Sequence, residues 1–356
     1  MNPKKPFILF YIVTVLFFAG LDGAGAETPA AFLSGAEQTA AHAGLFAAAG
    51  ETVRLCEAFL SENPGATEEE RREIAQATAA VLDSIRLTPL SGPEETTAGN
   101  AFAGPFTASI VSLNGAPEPG EALQFTASFP ENGAGKRITA EFRVQVPSGG
   151  GPVQAAYLPP APPCGVTGTL EIRPAFLDGA PQTMQLLEEF APETSRALRA
   201  EFPYRVAAPK NRPTVISLLD YDQNGRTVAD SPSAHALLAA LIRLGFRGTG
   251  MAEFPPQIDP ADEPALYDAA AALFGGNDMR YIYGTVHTSA LEKNAEGGFT
   301  AVLSASIHVY DFRQKEKTAA YPFRAAATGE TERQALENAE FALCEQTIAP
   351  ALEYGM

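Results

Sequence analysis

Cysteine is scarce in this chain, basic charge is in deficit, and no apolar run is long enough to span a bilayer. Cys56, Cys164 and Cys344 are the three cysteines of 356 residues. They show no zinc-ligand spacing. Three is an odd number, so one disulfide has three pairings to choose from. Cys344 sits on an apolar ladder and reads as an inert buried thiol. Lys and Arg total 25 against 42 Asp and Glu, a net charge of −17. That argues against a nucleic-acid partner, which needs a basic footprint. It argues equally against a polybasic grip on anionic lipid. A membrane helix wants ~20 apolar residues; the first apolar run, from Phe7 to Phe18, is shorter.

Catalytic signatures are missing too. There is no G-x-S-x-G elbow and no H-E-x-x-H. Gly135-Lys136 stands like the end of a P-loop, but Pro130 occupies the place of its first glycine. Gly248-Thr249-Gly250 starts like a dinucleotide fingerprint, but Glu253 replaces the third glycine and a helix precedes it.

What is present reads as delivery, spacing and one compact unit. Lys4 and Lys5, the short apolar run and Ala24-Gly25-Ala26 form a cleavable export signal, with the mature chain starting at Glu27. An uncleaved anchor is the competing reading. No cysteine follows the small residues, so the signal is not of the lipoprotein type, and no transmembrane segment is expected after cleavage. The predicted organisation is multidomain α+β: a signal peptide at 1–26, a helical hairpin at 27–87, a linker at 88–104, an immunoglobulin-like β-sandwich at 105–208 and an α/β domain with a mixed sheet at 209–356.

In the hairpin, Glu62-Asn63-Pro64-Gly65 is the turn. Thr67 with Glu70 is a capping box. Ile74, Ala77, Val81 and Ile85 step by three or four. The pair is expected to pack on the next domain, or alternatively to dock a partner. His42 has no companion ligand. Leu87 to Gly104, with Pro89, Gly92 and Pro93, reads as linker. The sandwich rests on strict alternation in Ile138–Val146, Val166–Arg173 and Leu198–Val206. Its turn signals are Asn114-Gly115, Asn132-Gly133, Ser148–Gly151 and Pro159–Pro163. Asp178–Ser195 reads as a short helix crossing one end.

The last unit opens with the buried-strand run Pro213–Leu219. Helices follow at about 231–244 and 262–274, the second ended by Gly275-Gly276. Strands follow at about 279–288, 299–310 and 318–328, then a helix at 331–353 that Pro350 should bend or end. Two ladders mark that helix: Leu336, Ala339, Leu343, and Phe341, Cys344, Ile348, Leu352. His235 reads as a packed helix histidine beside Leu238 and Ile242. A hairpin turn near Ala295 places His287 opposite about Leu303 and His308 opposite Arg280 or Tyr281. The two histidines are then on the order of 15 Å apart, too far for a shared metal.

Asp220-Tyr221-Asp222-Gln223-Asn224-Gly225 is the strongest chemical motif. Asp220, Asp222 and Asn224 place oxygens at alternate positions, with glycine sixth, as a calcium loop begins. Ser231 stands at the twelfth position instead of Glu. The alternative is a polar strand-to-helix turn. No other cofactor is expected.

The order strand–helix–(strand)–helix–three strands–helix, with Val215–Asp220, Arg280–Val286, Ser306–Asp311 and Thr328-Gly329, resembles the α/β domains of TolB, CsgG and LpoB type. These domains often place Thr-Gly after the strand-ending Asp; Phe312–Lys317 stands here instead. The absent lipoprotein cysteine sets the chain closer to TolB than to CsgG or LpoB. The resemblance implies a non-enzymatic periplasmic or extracellular protein working through contacts with other envelope proteins. Phe312, Arg313, Lys315 and Lys317 at the hairpin tip are the candidate contacts. A ligand- or glycan-binding sandwich with the α/β domain as scaffold is the second reading, and a hydrolase of unrecognised type the third.

Overall fold

A computed structural model describes residues 45–112, 121–148, 152–274 and 278–356. The export signal, His42, Asn114-Gly115, Gly275-Gly276 and the glycines at 149–151 lie outside the described residues.

Helix α1 (Leu45–Glu62) buries Phe46, Ala49, Val53, Cys56 and Leu60, a stripe at steps of three and four. Helix α2 (Glu68–Leu82) starts on the capping box: the Thr67 hydroxyl accepts from the Glu70 amide, and the Glu70 carboxylate accepts from the Thr67 amide. The pair leans on helix α3 (Pro181–Phe190). Ala180 gives that helix no side-chain cap. Glu57 of α1 supplies one instead, accepting from Gln182 N at 3.3 Å and Thr183 N at 2.8 Å. A carboxylate at a helix N-terminus also meets the positive end of the helix dipole.

Two β-sheets follow. β1 (Ile85–Ser91), β3 (Phe106–Ser112) and β6 (Val153–Tyr157) form the smaller, ordered β1-β3-β6. β2 (Glu95–Thr97), β4 (Ala122–Pro130), β5 (Arg137–Gln145), β7 (Val166–Pro174) and β8 (Ala200–Ala207) form the larger, ordered β2-β8-β7-β4-β5. Their inner faces share one core. Phe106 of the smaller sheet meets Phe202 and Tyr204 of the larger edge-to-face, at 5.6 and 5.9 Å. Helices α3 and α4 (Pro192–Ala197) lie between β7 and β8 in the chain.

The expected linker at 88–104 is corrected. β1 pairs antiparallel with β3 across it, and β2 pairs with β8. Leu87, Ala98 and Phe102 are buried. Prolines and glycines here mark strand ends and an edge, not a free tether: Pro89 lies in β1, an edge strand, where a missing amide costs nothing.

The last unit is one mixed sheet: β9 (Thr214–Tyr221), β10 (Thr227–Val228), β11 (Thr249–Met251), β12 (Arg280–Lys293), β13 (Phe299–Asp311) and β14 (Glu316–Gly329). Its order is β10-β9-β12-β13-β14, with β11 also on β9. β9 runs parallel to β11 and β12; β12, β13 and β14 run antiparallel in two hairpins. Helices α5 (Pro232–Arg243) and α7 (Glu332–Leu343) supply Leu237, Leu241, Ala339 and Leu343 to the core on one face. Helix α6 (Glu263–Phe274) covers the other face with Leu266 and Ala270 against Tyr281 and Tyr283.

The final helix differs from expectation. A π-helical stretch at Cys344–Ile348 separates α7 from α8 (Ala349–Glu353). Pro350 has no amide to offer, so the register slips one residue before it. Thr347 fills the widened turn, donating to Ala342 O at 3.0 Å. The second ladder is buried at Cys344, Ile348 and Leu352, but Phe341 is half exposed.

Candidate functional site

The two β units meet along a seam. The β4–β5 hairpin places Gly133 on the edge of β14 at Ala319. A side chain at Gly133 would collide with the Tyr321 hydroxyl, so this approach needs glycine. Gly165 N donates to Met356 O at 2.5 Å, and Ala208 N to Glu353 O at 2.7 Å. Lys136 pairs with Glu316 across the seam at 3.2 Å.

Asp311 is the centre of this region. Its side chain is fully buried. The Arg212 guanidinium grips it with two bonds at 2.5 Å. Arg313 N, Gln314 N and the Gln314 amide donate to the same carboxylate at 2.9, 3.2 and 3.2 Å. Gln314 also donates to Pro163 O of the two-sheet unit at 2.9 Å. One carboxylate therefore fixes the β13–β14 tip and the entry to β9, and through Gln314 the two-sheet unit. Arg280 stands opposite Asp311 in register and is fully buried. Its Nη2 donates to Pro209 O at 2.8 Å, while Nε and Nη1 have no partner among the described residues. Burial, then the neighbouring Arg212 charge, pulls its pKa down to about 10, still protonated at neutral pH.

Sequence reasoning named the hairpin tip but missed what holds it. Arg212, Arg280 and Gln314 lie 34 to 102 positions apart by number, and the pairing of β9, β12 and β13 brings them together. A buried-type strand opening on Arg and paired with a strand ending on Asp was the available signal. Of the four tip candidates, Phe312 turns inward against Tyr310 at 5.0 Å. Lys317 turns back to Glu263 at 2.8 Å. Arg313 and Lys315 point outward and are exposed, with Lys315 in a left-handed conformation at φ 55°.

Glu263 collects a second cluster at the start of α6. Besides Lys317 it accepts from Tyr283 at 2.9 Å and Tyr267 at 3.2 Å. The two tyrosine hydroxyls are 2.6 Å apart. Burial pushes Tyr267 up to about 12 and Tyr283 higher still, so both remain phenols. His308 stacks on Tyr283 at 5.2 Å, and burial, then the Lys317 charge, lowers its pKa. This network pins α6 to the sheet.

The calcium-motif residues part company. Asp220 is buried and accepts from Ser231 Oγ at 2.5 Å and Ser233 N at 3.2 Å, capping α5. Asp222 is half-buried and accepts from Asn224 N at 2.8 Å and Arg226 N at 2.9 Å, closing its own turn. Each carboxylate thus already serves backbone amides. Among the described residues no group of three His, Cys, Asp or Glu is placed to hold a metal.

His287 faces Ser304, and His308 faces Tyr283. The β12–β13 hairpin turns on Asn294–Gly297, whose Asn294 Oδ1 accepts from Glu296 N and Gly298 N. Four residues of strand separate the histidines, roughly 13 Å. His235 is corrected: it is exposed and pairs with Asp230 at 2.9 Å instead of packing. All three cysteines are free thiols and buried. Burial pushes Cys164 and Cys344 up to about 12.

Residues 213–352 match the family described as TP0693-like lipoprotein, C-terminal domain. An uncharacterized lipoprotein of Treponema pallidum (strain Nichols) is 25% identical over 306 residues, covering 77% of this chain and 67% of its own length. Among solved structures, the PelC dodecamer from Paraburkholderia phytofirmans is 12% identical with a TM-score of 0.27, covering 40% of this chain and 91% of that one. Lipoprotein GNA1162 from Neisseria meningitidis is 9% identical with a TM-score of 0.20, covering 33% and 84%. Scores this low establish nothing further about this chain.

Two expectations fall here. The resemblance to TolB, CsgG and LpoB domains is overturned, because the same stretch matches the TP0693-like lipoprotein domain instead. Short apolar strands ending in Asp recur across α/β folds and do not single out a family. The exclusion of the lipoprotein class is overturned as well, since both the family and the Treponema relative are lipoproteins. That exclusion rested on one position, the first cysteine being Cys56, whereas the matched family and the Treponema relative both carry the lipoprotein description. The likeness is to an exported, envelope-associated class. Among the described residues no helix is long and apolar enough to cross a membrane.

Proposed function

We propose that this chain is an exported envelope protein, periplasmic or extracellular, that acts by holding another envelope protein and not by catalysis. In this reading its sandwich, immunoglobulin-like, serves as the spacer and its last unit as the contact module of an envelope or secretion assembly. The observation that carries it is the β13–β14 tip. Asp311 fixes its base with five hydrogen bonds, from Arg212, Arg313 N, Gln314 N and the Gln314 amide, while Arg313 and Lys315 stay exposed. A rigid base under free side chains is how loops on scaffolds present recognition groups.

The reactive groups support the same reading. Glu263, His308 and the tyrosines are committed to one another, and the thiols are buried with raised pKa values. A photo-crosslinking residue at Lys315, placed in the native host, tests the proposal. One saturable adduct with an envelope protein is expected from Lys315, and none from Glu337 on α7. Equal labelling from both positions, or none from Lys315, would sink it.

A further inference from the structure

Between the sandwich and the α/β unit lies a cleft of about 480 Å³. That volume falls within the range of small-molecule sites. Pro162 and Pro163 of the sandwich form one wall, and Pro209 and Pro213 the other. Proline rings offer flat apolar surface with no amide to satisfy. The charged groups in the lining are Arg212, Arg313 and Asp278. Arg212 spends its fork on Asp311. No partner of the Arg313 guanidinium stands among the described residues, while its backbone is anchored through N to Asp311 at 2.9 Å. Behind the 209–213 wall sits the buried Arg280, bonded to Pro209 O and through its own N to Pro213 O, with two donors that have no partner among the described residues. Buried charge beside a low-dielectric wall projects its potential further than exposed charge does. Arg212, Arg280 and Arg313 stand here against Asp278 and Asp311, which leaves one net positive charge at this cleft on a chain of net charge −17.

We propose that this cleft binds a small organic anion, its apolar body against the four prolines and its carboxylate or equivalent group on Arg313. A guanidinium fork suits a planar oxyanion, and a prefixed backbone lowers the entropy lost on pairing. The proposal does not rest on the protein-partner reading, which turns on Lys315.

The test uses 2-naphthoate and its neutral amide, 2-naphthamide, titrated into the full chain by calorimetry or saturation-transfer NMR. Naphthoate should bind saturably, at least ~5-fold more tightly than the amide, and more weakly as salt is raised. Arg313→Gln should abolish that preference, and Arg313→Lys should restore part of it. Arg313 is exposed, so both variants should keep the parent's thermal midpoint. Equal binding of the acid and the amide, unchanged naphthoate binding in Arg313→Gln, or no binding at millimolar concentration overturns the proposal.

Discussion

Glu340 should make this protein less stable at alkaline pH. It lies on α7, half-buried, facing Asp220 at the end of β9, with Glu337 on its own helix and the Cys344 thiol beside it. Burial, then the Asp220 charge, then Glu337, raise its pKa from 4.5 to about 7. In the unfolded chain it titrates near its ordinary value. Between those two values the native state holds a proton that the unfolded state has released. Stability from this group is therefore full below pH 4.5 and lost as pH rises through about 7. A rise of this size corresponds to about 3 kcal/mol as an upper limit. Partial solvent access discounts it to about 1–2 kcal/mol. Glu340→Gln keeps the shape and removes the charge. Urea unfolding at pH 8.5 should show the variant more stable than the parent by that amount, and at pH 4.5 the two should nearly coincide. Taking the difference between proteins cancels other titrating groups such as His308. An equal gain at both pH values, or a loss at pH 8.5, would refute the assignment.

Asp311→Ala strips the Arg212 guanidinium of its buried partner, leaving it the exposed Asp278 at 3.6 Å, and should cost about 3–5 kcal/mol in chemical denaturation; Asp311→Asn should cost less, since it still accepts from the tip amides. Thr67→Ala removes the α2 cap and should cost about 1 kcal/mol by the same measurement. Gly133→Val drives a side chain into Tyr321, so it should loosen the seam and raise proteolysis near the sandwich hairpin while circular dichroism stays unchanged. Millimolar calcium should give no saturable heat, because the Asp220 and Asp222 carboxylates already serve backbone amides; a saturable heat lost in Asp222→Ala would establish the site instead.

Local patterns in the sequence determined the elements. The Thr67–Glu70 box marks the start of α2, alternation in 138–146 and 299–310 marks two strands, and the hairpin turn was placed near Ala295, within Asn294–Gly297. Each depends on neighbours within four residues or on a period of two, so a single sequence carries them. Three things escaped that reading. The stretch 88–104 gains strands only because β3 and β8 lie beside it; short edge strands have little periodicity of their own. Pro350 pointed to a bend, yet buried Ile348 and Leu352 hold the helix on course and convert the break into a π turn. The polar seam was invisible, because Arg212, Arg280, Asp311 and Gln314 meet through register between strands and across two units. Sequence marked Asp311 as a strand end. Only tertiary structure made it the anchor of the tip, since a buried carboxylate must gather donors from wherever the fold brings them.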